Sequence, residues 1–189
     1  QPSHNCHAPC SPPRRTLPAP LHTSSCGQVL AASPGVAALQ EVDVSWARRF
    51  WEPTLAAAGY AMAFAPKASA SSNEGLAVAW RTNAFELVRA RVCRLDLRQP
   101  PPPLAEYLSQ REGTTAAVRS LPSVAQLIVL RQRGGARRLI VANTHLYFAN
   151  PAVHVRLMQS AALVAEVEAE VEAEAAEAAA ATAAAAAAE

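Results

Sequence analysis

From Gln28 onward the apolar positions fall into short runs separated by turn residues, and each run predicts an element. Gln28 to Ala32 reads as the end of a helix stopped at Ser33-Pro34, because proline disfavours helix in the residue before it. Gly35-Val36-Ala37-Ala38, small and apolar, runs into Leu39-Gln40-Glu41-Val42-Asp43 and predicts a short buried strand with a polar ending. Val44 to Ala58 sets Trp46, Phe50 or Trp51, and Leu55 at helical spacing and stops at Gly59. Those aromatics read as core. Tyr60 to Phe64 predicts a strand, and Ala65 to Asn73 a small, polar loop. Leu76 to Trp80 and Phe85 to Leu95 predict strands joined by the turn Arg81-Thr82-Asn83. After the break at Pro100 to Pro103, Leu104 to Ser120 carries no readable motif. Val124 to Leu130 and Arg138 to Leu146 form the best hairpin in the chain, turned through Arg133-Gly134-Gly135-Ala136. A helix starts after Pro151 and continues through an alanine-rich end.

Composition changes this picture at both ends. The chain has 189 residues, enough for one domain, but its 51% hydrophobic content is largely alanine and only 5% is aromatic, so the core is thin. The net charge of +2 conceals an asymmetry. Seven glutamates and no Lys or Arg follow Val164, whereas the rest of the chain carries 17 basic against 8 acidic residues. A basic body suits a polyanionic partner, and an acidic tail repels one. Glu166, Glu170 and Glu174, like Glu168 and Glu172, are like charges four apart on a helix. With few apolar positions beyond Val164, Val167 and Val171, this tail is expected to project from the body rather than pack.

Residues 1–27 are proline-rich, contain no acid, and read as a disordered segment. His4, Cys6, His7 and Cys10 fit no regular zinc spacing. Four cysteines provide no disulfide framework, and no apolar run reaches a signal-peptide core or membrane span. The expectation is an intracellular protein, cytoplasmic or mitochondrial and not secreted, with no membrane partner. Arg14 and Arg15 in an acid-free leader are the only organelle-targeting feature. Nothing indicates the oligomeric state.

The candidate chemistry sits at two strand ends. Glu41 closes the first strand, where an α/β sheet opens into its ligand crevice. Two readings stand for it: a hard-oxygen ligand for magnesium, or a cap for the following helix. Leu139 to Phe148 is a second apolar strand ending in Asn143-Thr144-His145.

Together, L-Q-E-V-D and V-A-N-T-H-L-Y-F resemble the endonuclease/exonuclease/phosphatase superfamily, and within it the branch of poly(A) deadenylases, nocturnin and 2′,5′-phosphodiesterases. The intervening stretches agree in order: Gly59-Tyr60, Ala65-Pro66-Lys67, Glu74-Gly75-Leu76-Ala77, Phe85 to Val88, and Arg156-Leu157-Met158-Gln159. E-G-L-A with N-T-H-L-Y-F leans toward the 2′,5′-phosphodiesterase member. The resemblance runs from about Gln28 to about Ala165.

It implies an α/β sandwich, of which this chain holds the N-terminal half over 28–165, about one sheet with flanking helices, followed by a low-complexity Glu/Ala helix over 166–189. Half a sandwich of that kind would leave the inner face of its sheet uncovered. It also implies cleavage of phosphodiester bonds in RNA or oligoadenylate with Mg2+ or Mn2+. Glu41 would hold the metal and His145 would donate to a phosphate oxygen, with Glu74 orienting its ring. Asn143 would fix the strand end or donate to phosphate, and Lys67 would place a cation in the groove. Three family features are lacking: an early strand ending in asparagine, a G-D-F-N stretch, and a final Asp-His pair. Three readings follow: a partial metal-dependent phosphodiesterase, a non-catalytic nucleic-acid- or protein-binding remnant, and another superfamily phosphatase or DNA-repair endonuclease.

Overall fold

The computed structural model describes residues 19–187 apart from residues 70, 99, 150 and 151, so His4, Cys6, His7, Cys10, Arg14 and Arg15 lie outside the described residues. A first helix, α1 (Ala19–Ala32), ends where Ser33-Pro34 forbids another turn, and it begins upstream of Gln28. The six strands then divide equally between two antiparallel sheets. One contains β1 (Val36–Asp43), β2 (Tyr60–Pro66) and β3 (Glu74–Arg81) in the order β1-β3-β2. The other contains β4 (Phe85–Arg94), β5 (Val124–Gln132) and β6 (Arg138–Thr144) in the order β4-β5-β6.

The expected α/β sandwich is present, but the chain supplies three strands to each of two sheets rather than about one sheet. The reason lies at Arg81 to Ala84. Strands β3 and β4 are consecutive, yet this turn passes from one sheet to the other instead of closing a hairpin. The two central strands therefore stack face to face, with Val78 and Trp80 of β3 against Ile128 and Leu130 of β5. All four are at most 5% exposed, so the inner face is covered by the chain itself.

Helices cover both outer faces. On the first sheet, Ala77 and Ala79 meet Cys26 of α1 together with Ala47, Trp51 and Leu55. The latter three come from a single run containing α2 (Val44–Trp46), a π-helical turn (Ala47–Trp51) and α3 (Glu52–Ala57). The wide turn has a local cause. Pro53 lacks an N–H and its ring crowds the preceding turn, and the Glu52 N–H donates back to Ala47 O, five residues away. Both Phe50 and Trp51 thereby reach the core. Leu104 to Ser120, unreadable in sequence, forms α4 (Pro102–Ser109) and α5 (Glu112–Arg119).

The long C-terminal helix, α6 (Val153–Ala186), packs on the body as far as Glu177, and the expectation that the tail projects is corrected over that length. Its first turns pack Val155 and Met158 on Leu97, Leu108 and Val118. Next, Leu163 and Val167 lie over Leu95, Ala125 and Leu127 on the outer face of the second sheet. The same stripe then turns acidic, and Glu166, Glu170, Glu174 and Glu177 bond to Arg89, Arg91 and Arg138 on that sheet. Like charges along the helix are tolerated because guanidinium groups face them. No helix among the described residues is long and apolar enough to cross a membrane.

Candidate active site

The antiparallel registers bring the last residues of β1, β2, β4 and β6 and the first residues of β3 and β5 to one end of the sandwich. All five candidate residues lie there.

On β1 the ladder slips. Leu39 pairs with Ala77 and Val42 with Gly75, leaving Gln40 and Glu41 opposite the single residue Leu76. This is a β-bulge, and Glu41 occupies its left-handed position with φ +57°. A residue with a β-carbon is strained there by about 1–3 kcal/mol, and such strain is concentrated at functional sites. The bulge sends neighbouring side chains in different directions. Gln40 points across the gap between the sheets and donates from Nε2 to Asn143 Oδ1 at 2.7 Å, whereas the Glu41 side chain is 62% exposed at the rim.

Asp43, two residues on, settles which carboxylate caps the helix. Its Oδ1 accepts from Ser45 N at 2.7 Å and Trp46 N at 3.3 Å, and its Oδ2 accepts from Asn73 Nδ2 at 2.6 Å. It is buried and fully used. Glu41 is thereby released from the capping role.

Asn143, at the end of β6, is 2% exposed. Its Nδ2 donates to Leu39 O at 3.0 Å and to Ala77 O at 3.1 Å, while Oδ1 accepts from Gln40. With both N–H groups committed, it ties the strand end of one sheet to the backbone of the other and has no donor left for phosphate. His145 follows immediately. Its Nε2 lies 3.7 Å from Glu41 Oε1, and its buried Nδ1 has no hydrogen-bond partner. The carboxylate beside His145 is Glu41, not Glu74. Glu74 instead forms an ion pair with Lys67, reinforced by Lys67 N donating to Glu74 O at 3.1 Å. The structure thus brings Glu41 together with His145, and Glu74 together with Lys67.

Behind His145, α6 holds the loop that carries it. Gln159, fully buried, accepts from Tyr147 N at 2.9 Å through Oε1. Arg156 donates from one guanidinium nitrogen to Tyr147 O at 3.3 Å and Ala149 O at 3.1 Å. Gln40, Arg156 and Gln159 were given no role from sequence. The available signal was the three-residue spacing of Arg156 and Gln159, which puts both on one helical face next to the histidine segment.

Toward a magnesium ion the rim offers one carboxylate rather than a ligand set. Among the described residues no group of three His, Cys, Asp or Glu side chains is placed to hold a metal. Among the described residues, the carboxylate at this rim with no cap or hydrogen-bond duty is Glu41. Magnesium accepts a single protein carboxylate when water and phosphate complete its shell.

No protein-family model matches this sequence. It is 27% identical over 150 residues to the CCR4-Not complex 3′-5′-exoribonuclease subunit Ccr4 of Yarrowia lipolytica, an alignment covering 75% of this chain and 21% of that protein. The human nocturnin catalytic domain superposes with a TM-score of 0.64 at 21% identity, over 80% of this chain and 51% of that one. ANGEL2, described as a 2′,3′-cyclic phosphatase, superposes with a TM-score of 0.63 at 19% identity, over 78% and 38%. The chain shares its fold with the nocturnin domain and ANGEL2. The chain spans about a fifth of the Ccr4 subunit and half of the nocturnin domain.

Proposed function

We propose that this chain forms part of a metal-dependent phosphodiesterase acting on RNA 3′ ends or short oligoadenylate, and supplies one side of its site. The observation that carries this reading is the approach of Glu41 and His145, residues from two sheets, to 3.7 Å at the sandwich rim. Glu41 would hold a magnesium or manganese ion, which when bound supplies charge stabilisation at the phosphoryl oxygens. His145, held by the loop that Gln159 and Arg156 clamp, presents Nε2 toward the same space and would donate to a phosphate oxygen. Lys67 is neutralised by Glu74 and would meet substrate only when that ion pair opens. Asn143 acts through Gln40 and the β1 backbone, holding the bulge that aims Glu41.

Activation of the water needs a positioned base or a second ligand; with His145 given to the phosphate oxygen, no group of three potential metal ligands stands at Glu41 among the described residues. The expectation is therefore metal binding without useful turnover by this chain alone. The test is an assay with manganese on 2′,5′-linked and 3′,5′-linked oligoadenylate, with and without the remaining portion of a related domain supplied in trans. Activity that appears on addition, and disappears with His145→Ala, supports the reading. Turnover by the chain alone that survives His145→Ala overturns the assignment of residues. The absence of a three-ligand cluster among the described residues favours, as second reading, a non-catalytic nucleic-acid-binding module. That module would bind oligoadenylate equally with and without metal.

A further inference from the structure

We propose that Arg89, Arg91 and Arg138 form a binding strip for the backbone of single-stranded RNA, and that the carboxylates of α6 occupy it as an internal stand-in. The strip lies on the outer face of the second sheet, away from the rim that carries Glu41 and His145. Arg89 and Arg91 alternate along β4 and project to that face, opposite Val129 and Leu127 of β5. Their outward direction is set by the bulge between Leu87 and Arg89, which shifts the strand by one residue.

Each arginine is engaged by more than one carboxylate. Glu170 accepts from Arg89 Nε at 2.8 Å and from Arg91 Nε at 3.3 Å, and is 5% exposed. Glu166 pairs with Arg91, Glu174 with Arg89 and Arg138, and Glu177 with Arg89 at 2.8 Å and Arg138 at 2.9 Å. At about 6 Å per four residues of helix, these side chains present a regular row of negative charge. Planar guanidinium groups recognise an anionic backbone in the same way.

The occupant is held in a manner that allows exchange. Up to Val167 the helix is anchored by apolar contacts, whereas Val171 is 51% exposed and no apolar residue beyond it is buried. The outer half of α6 is therefore docked by charge alone, and charge pairs at a partly exposed surface weaken with salt. Glu168 and Glu172 face solvent and repel a polyanion while the helix is down. The choice of RNA rests on the function proposed above.

Anisotropy of labelled 3′,5′-oligoadenylate, measured on the full chain in EDTA so that catalysis has no part, tests the strip. Glu174→Gln/Glu177→Gln keeps the buried Glu170 bonds, and the variant with Glu166 and Glu170 also changed to Gln removes the whole row. Circular dichroism confirms that each is folded. For the fourfold variant the expected result is binding about tenfold tighter than wild type, with a salt slope steeper by about two for three arginines at about 0.7 each, and for the double variant, which frees Arg138 alone, a smaller gain in the same direction. Addition of Arg89→Ala/Arg138→Ala should abolish the gain. Equal affinity of wild type and both Gln variants overturns the proposal, as does a gain that survives loss of the arginines. Tighter binding to inorganic polyphosphate with none to oligoadenylate overturns it too. A chain that binds in this pattern but never cleaves, even when complemented, refutes the phosphodiesterase reading and supports the strip.

Discussion

Gln40 and Asn143, 103 residues apart, meet across the gap between the two sheets, with the Gln40 amide donating to Asn143 Oδ1 at 2.7 Å. Asn143 returns the link through its bonds to Leu39 O and Ala77 O. Removal of the Asn143 side chain takes a donor from two backbone carbonyls and the acceptor from Gln40 in a buried place. Asn143→Ala should lower stability by about 2–3 kcal/mol, and Gln40→Ala, whose side chain starts from an exposed position, by no more than about 1 kcal/mol. Urea unfolding of the two variants measures the difference. Similar losses from both would mean that Asn143 is not the anchor.

At the bulge, stability and chemistry should separate. Glu41→Gly relieves a positive φ that glycine adopts freely, so it should leave stability unchanged or raise it by up to about 1 kcal/mol. The same change, like Glu41→Ala, should abolish manganese binding measured by calorimetry. Asp43→Ala should do the reverse: metal binding persists, and loss of the cap costs about 1–2 kcal/mol. Unaltered manganese affinity in Glu41→Gly would remove this residue from the metal site.

Gly75 is needed for close approach rather than for its φ. A β-carbon there would run into Ala65 O and fall 2.8 Å from Pro66 Cα, because the end of β2 pairs closely with the start of β3. Gly75→Ala must push two strands apart next to Glu74, and should cost about 1–3 kcal/mol or more. Thermal melting of this variant beside Gly113→Ala, whose β-carbon meets open space, provides the comparison.

Acidification should act on α6 in opposite senses depending on context. In the folded chain, hydrogen bonds from Arg89 and Arg138 hold the Glu177 carboxyl below its ordinary value. A depressed carboxyl contributes stability that is present above its unfolded value and is lost as pH falls through the folded one. Docking of the outer half of α6 should therefore persist at neutral pH and fail below the usual glutamate range, seen as faster hydrogen exchange on β4 and β6. An isolated peptide of residues 164–189 has only the like charges, each pair opposing the helix by about 0.2–0.5 kcal/mol. Its helicity by circular dichroism should rise as the pH approaches 4. A fall in peptide helicity without aggregation would contradict the charge argument.

Much of the local structure was legible in the chain. Alternating and blocked apolar runs located the six strands of the described residues, and the turn at Arg133 to Ala136 identified the β5–β6 hairpin, whose strands are neighbours in the second sheet. The polar ends of β1 and β6 marked Glu41, Asn143 and His145 as strand-end residues, and the family resemblance alone implied that they share one site; the structure brings them to the same rim. Sequence did not reveal which side chains pair. Glu74 was expected beside His145, but the ladder sets it opposite Asp43 and within reach of Lys67.

What the sequence by itself determined is the strands and the strand ends on which Glu41, Asn143 and His145 fall, since these depend on periodicity and on turn residues within a few positions. Only the tertiary structure decided that β3 and β4 part into different sheets, because the turn at Arg81 to Ala84 looks locally like a hairpin turn and differs only in what each strand finds to pair with. It alone decided the fate of α6. Read alone, a row of glutamates on a helix is a row of repulsions; set against Arg89, Arg91 and Arg138, which the Leu87 bulge turns outward, the same row becomes the contact that seats the helix. The outcome depends on which charges fold into reach, and that distance is a property of the assembled sheet.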